Sequence, residues 1–144
     1  MRFMMLMLPA VYQGGKGNRA DADFTPPADA VEAMMKFNEE LAKAGHLLSL
    51  DGLQPIERGA RVSFANGRPS VIDGPFIETK EVLGGYWMTK FSSLEEALDW
   101  AKRIPAADGD TIEIRRVFDP EDFPEDVAKA ADNATVKAAV ERHN

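Results

Sequence analysis

The residues best suited to chemistry lie close together, in VIDGPFIETKEVLGGYWMTKF from Val71 to Phe91. Asp73 opens an Asp-Gly-Pro-Phe turn. A carboxylate there accepts backbone N–H bonds that set the bend, and the same donors keep it ionised and aimed, as a general base requires. Glu78 and Lys80 follow on a polar segment. A carboxylate and an ammonium converging on one pocket perturb each other and can hold a polar or anionic ligand. Tyr86 and Trp87 come directly after the glycine pair Gly84-Gly85 and offer a hydroxyl and an aromatic wall. Arg61 and Ser63, on an adjacent hairpin, are further candidates for contact with a substrate. His46, after Gly45 at the start of a strand, is a further candidate acid or base. The candidate catalytic residues are Asp73 and His46, and the expected binding set is Glu78, Lys80, Tyr86, Trp87, Arg61 and Ser63, acting on a small polar organic molecule. Each residue also has a structural reading: Asp73 as turn former, His46 as the rim of a core, Glu78 and Lys80 as a solvated ion pair, Arg61 and Ser63 as an edge hairpin, Trp87 as core.

The rest of the sequence narrows the chemistry. It has no cysteine, so disulfides, thiolate zinc sites and cysteine nucleophiles are excluded. Two isolated histidines, His46 and His143, give no metal-ligand spacing, and no metal or cofactor is expected. No GxSxG, Walker or dinucleotide-binding glycine pattern occurs. The net charge of −7, with no cluster of lysine and arginine, argues against nucleic acid. The apolar N-terminal run Phe3–Leu8 ends at Pro9, too short for a signal peptide core, and no stretch approaches the about 18 apolar residues of a membrane span. The expected location is the cytoplasm, with no membrane partner.

These groups need a scaffold. Phe3–Leu8 is apolar on both alternating faces, as in a strand covered on two sides. After a glycine-rich loop, Thr25-Pro26-Pro27 starts a helix with Thr25 as N-cap and Pro26 at its first position. Ala30, Met34, Phe37, Leu41 and Ala44 form its apolar stripe and Gly45 its stop. HLLSL is a second strand, with His46, Leu48 and Leu50 on one face. Asn66-Gly67 marks a hairpin between Arg61–Ala65 and Pro69–Ile72. Gly84–Phe91 is a strand. Ser93-Leu94-Glu95-Glu96 is a capping box for a second helix, whose stripe is Leu94, Ala97, Leu98, Ala101 and Ile104. Thr111–Phe118 is the last strand. This order is an α+β, ferredoxin-like βαββαβ unit with a hairpin insert, spanning residues 1–118. Residues 119–144 form an acidic tail with short helices that packs over the domain or its partner. Helices cover one sheet face only. The other is apolar and calls for a second copy, sheet against sheet, in a homodimer.

The chain resembles the YCII-related family, in the branch named for its Asp-Gly-Pro-Phe motif. The likeness runs through MRFMMLML, LAKAGHLLSLDGLQP, VIDGPFIETKEVLGGYWM, SSLEEALDWAKRIP and IEIRRVFDPEDF. It implies a dimeric α+β barrel with a small-molecule cleft in each protomer. It also implies a His-Asp acid–base pair, for which His46 and Asp73 are the nearest matches by position. Two functions follow: a cofactor-independent enzyme working through Asp73 and His46, or a non-catalytic dimeric binding or accessory module. For some relatives, names suggest a link to transcription regulation.

Overall fold

A computed structural model describes residues 1–14, 19–73 and 81–143. The order is β1 (Arg2–Leu8), α1 (Ala28–Lys43), β2 (Leu47–Gly52), β3 (Ala60–Ala65), β4 (Arg68–Asp73), β5 (Gly85–Lys90), α2 (Leu94–Ala101), β6 (Thr111–Arg116), α3 (Glu125–Ala131) and α4 (Ala134–His143). Short 3-10 turns follow β1, β2 and β6. Four strands form an antiparallel sheet in the order β2-β5-β1-β6, and β3 and β4 form a separate hairpin. With α1 and α2 packed on one face, this is a ferredoxin-like α+β fold.

The core lies between that face and the helices. Phe3 and Met5 of β1, Trp87 of β5 and Phe91 just beyond it pack against Phe37 and Leu41 of α1 and Ala97 of α2. β1 is central, and its pleat sends Met4, Leu6 and Leu8 to the opposite face, where they are only half-buried. Met88 lies beside Met4 there. The two-sided apolar pattern of β1 therefore describes one dry face and one half-covered face.

Local chemistry explains most boundaries. Asn66 and Gly67 both have positive φ (51° and 73°), as a two-residue hairpin turn demands. Gly45 (φ 77°) ends α1 in a Schellman motif: the His46 N–H donates to Leu41 O and the Gly45 N–H to Ala42 O. The start of α1 differs from the expected Thr25 cap, because the helix begins at Ala28 with Pro27 as N-cap. Pro26 precedes another proline, and the ring of Pro27 pushes it out of helical φ/ψ. At α2 the Ser93 hydroxyl caps the Glu96 N–H, but the Glu96 carboxylate turns to the Ser92 N–H and hydroxyl, so only half of the capping box forms. Leu94 and Leu98 remain exposed, and Trp100 packs inward instead.

β2 also departs from simple alternation. A bulge between Leu47 and Ser49 shifts its register on β5. Leu47 and Leu50 both reach the core while Leu48 is exposed, so the expected common face of His46, Leu48 and Leu50 is broken.

Candidate functional site

α1 is 16 residues long, about 24 Å, but full burial along it begins only at Phe37. Its first turns stand away from the sheet, and Val31 and Met35 are exposed. The gap is a cavity of about 740 Å³. Its walls are Ala30, Met34 and Asn38 of α1, Met7 and Pro9 at the end of β1, Leu50 of β2, and Trp87 of β5. Tyr12 and Phe24 close one side, and Pro105 and Ala107, from the loop after α2, close another. The surface is almost wholly carbon.

The glycine pair makes this geometry possible. A Cβ on Gly84 would fall 2.5 Å from Pro9 Cγ, and one on Gly85 would fall 2.8 Å from Asp51 O. Side chains at these positions would push the β1 exit and the β2 end away from β5.

The polar groups around the cavity mostly serve the frame. Asp110 accepts the Ala10 N–H through Oδ1 and the Ala107 N–H through Oδ2, each at 2.7 Å, tying two wall segments together. The Tyr12 hydroxyl donates to Leu53 O at 2.9 Å, and its ring meets Phe24 edge-on at 5.8 Å. Burial, and secondarily the Glu57 carboxylate, push the Tyr12 phenol up from its ordinary value, so it stays a donor. Gln13 clamps the Val82 backbone from both sides, donating from Nε2 to Val82 O and accepting the Val82 N–H at Oε1. Behind this segment Arg19 Nε pairs with Glu57 Oε1 at 3.0 Å, and the Arg19 side chain is almost fully buried. Glu57 Oε2 is buried with no hydrogen-bond partner among the described residues.

One buried polar pair belongs to the cavity wall itself. The Trp87 indole N–H donates to Asn38 Oδ1 at 2.7 Å, and both residues are 5% exposed. Among the described residues, no three His, Asp or Glu side chains converge as metal ligands would.

The expected site residues are only partly brought together. Trp87 lines the cavity. Tyr86 also borders it, but the pleat turns its side chain to the other sheet face, where its hydroxyl donates to Asp51 Oδ2 at 2.9 Å. That bond is the main reason its phenol is held above the usual value. Arg61 lines a second depression at the base of the hairpin, and Ser63 is exposed on β3. Asp73 ends β4, opposite Ala60; its side chain, together with Glu78 and Lys80, lies outside the described residues. His46 is not among the cavity residues. Its Nδ1 meets Lys90 O at 2.9 Å, so that nitrogen carries the proton, and Nε2 lies 3.6 Å from Glu96 Oε1. Its ring packs on Phe91 and Trp100, joining the β2 start to α2.

Sequence reasoning missed Asn38, Gln13, Arg19, Glu57 and Asp110. Only Asn38 carried a usable signal: a polar residue beside Phe37 and three before Leu41, on the apolar side of α1.

The sequence model of the YCII-related domain matches residues 1–121, from the first residue to just past β6. The chain belongs to the YCII-related family. A relative of this YCII-related chain, an uncharacterized protein of Rhizobium meliloti (strain 1021), is 36% identical over 86 residues. Those residues are 57% of this chain and 69% of the relative. The family match takes in every element that lines the cavity and stops before α3 and α4.

Proposed function

We propose that this YCII-related protein is a homodimeric small-molecule-binding module whose ligand occupies the cavity between α1 and the open end of the sheet. The supporting observation is the cavity itself: about 740 Å³, carbon-lined and walled by Trp87, Tyr12 and Phe24. Ligand sites are concave, mostly apolar and about 300–1,000 Å³. The lining favours an apolar ligand over the polar solute that the sequence suggests.

The homodimer is supported by the far sheet face, where Met4, Leu6, Leu8 and Met88 are half-buried on the central strands. α3 and α4 leave their own Val127, Val136 and Val140 exposed. A second copy would cover the far face, and the ligand site would stay on the helix side. The sequence Asp73-Gly74-Pro75-Phe76 supports the Asp-Gly-Pro-Phe branch of the family. The acid–base pairing draws no support from the surroundings of His46, so binding without catalysis is the reading we favour.

The test is titration with Nile red, an uncharged dye that brightens in apolar sites. Wild type should show saturable binding that Met34→Trp, filling the cavity, abolishes at unchanged secondary structure. Equal binding by both proteins, or none by wild type, would remove the proposal.

A further inference from the structure

The reading of the cavity as the ligand site leaves the chemical class of the ligand open, and the Trp87–Asn38 pair narrows it. An indole N–H can only donate, so the atom of Asn38 that meets it must be the carbonyl oxygen. This fixes the orientation of the amide, which is otherwise ambiguous. Asn38 Nδ2 is thereby turned away from Trp87, and its acceptor is the Met35 sulfur at 3.6 Å, a weak partner on another cavity residue. An amide nitrogen has two hydrogens to give, and one of these has no acceptor among the described residues. Asn38 is 5% exposed, so water does not fully take that role.

The described lining contains no lysine, arginine or histidine. Of its two aspartates, Asp110 has both oxygens on backbone N–H groups and Asp51 receives the Tyr86 hydroxyl on the other sheet face. A carboxylate entering the cavity would find no counter-charge among these residues, and burying an unpaired charge is costly.

We infer that the cavity takes an uncharged hydrophobic molecule bearing a carbonyl oxygen, and that Asn38 Nδ2 is the donor that reads this oxygen. The fixed amide orients the ligand, while methionine and aromatic side chains supply most of the contact area. Met7, Met34 and Met35 are adaptable and tolerate variation in ring shape.

Three probes of matched ring size test this by calorimetry: methyl naphthyl ketone, ethylnaphthalene and naphthoate. The ketone should bind roughly five- to tenfold more tightly than ethylnaphthalene, the worth of one net hydrogen bond. Naphthoate should bind more weakly than both. In Asn38→Leu, ethylnaphthalene binding should persist, reporting an intact cavity, and the preference for the ketone should vanish. Trp87→Phe, which releases the amide to turn, should reduce that preference as well. Equal affinity for ketone and ethylnaphthalene in wild type, or tightest binding of naphthoate, overturns this inference and leaves the cavity reading standing. Binding of none of the three overturns both.

Discussion

Replacing Asn38 by leucine should cost more than the loss of a surface amide, because Trp87 depends on it. The indole N–H is buried in the core cluster, and its acceptor is Asn38 Oδ1 at 2.7 Å. Leucine is near in volume and removes that acceptor without opening a large void. The change then leaves a buried donor unpaired, which costs about 1–3 kcal/mol. For a domain of this size, each kcal/mol lowers the Tm by about 2–4 °C, so a fall of about 2–12 °C is expected. Urea unfolding followed by circular dichroism gives the free energy directly, provided the slope m is unchanged. The decisive form is a double-mutant cycle with Trp87→Phe. Phenylalanine has no N–H to strand, so Asn38→Leu should cost much less in that background, giving a coupling of about 1–2 kcal/mol. A cost below about 0.5 kcal/mol in wild type, or the same cost in both backgrounds, would show that the bond does not organise the cavity wall.

Gly84→Ala should destabilise the protein by about 1–3 kcal/mol and weaken Nile red binding, since the new methyl collides with Pro9; unchanged unfolding and binding would refute the close-approach argument. Leu6→Arg places a charge on the half-covered sheet face, and sedimentation should change from a dimer to a monomer without loss of secondary structure. A wild type that already sediments as a monomer contradicts the proposed assembly. The Ser92 hydroxyl holds the Glu96 carboxyl below its ordinary value of 4.5, and the Arg2 guanidinium does the same for Asp119 against 3.8. Because both folded values are depressed, the stabilisation is present above the ordinary carboxylate values and is lost as pH falls through the lower folded ones. Ser92→Ala and Asp119→Asn should each flatten the acid side of the Tm profile, and an unaltered profile would show that these contacts are too well screened by solvent to matter.

The fold was largely legible because its signals are local. Asn66-Gly67, Gly45 and the β1 pattern each act through their own backbone or side-chain geometry, and each appears where the sequence indicates. At the start of α1 the restriction that Pro27 places on Pro26 outweighs a good N-cap and a favoured first-turn proline. On β2 a bulge adds a residue that period-two counting cannot anticipate. The candidate site was less legible. The densest polar segment points to Glu78 and Lys80, which lie outside the described residues, and the other sequence candidate, His46, has partners that join a corner of the fold. The cavity arises instead from what is missing, namely side chains at Gly84 and Gly85 and helix burial before Phe37. Asn38 matters through a partner 49 residues away, a relation that no spacing rule reveals.

The most direct test of the cavity as the ligand site is to map binding by heteronuclear NMR while methyl naphthyl ketone is added. The account predicts saturable shifts of the Trp87 indole N–H, the Asn38 side-chain amide and the backbone amides from Ala30 to Asn38, with Met4, Leu6 and Met88 unmoved. Shifts confined to the opposite sheet face or to the hairpin, or no saturable shift at all, would contradict it.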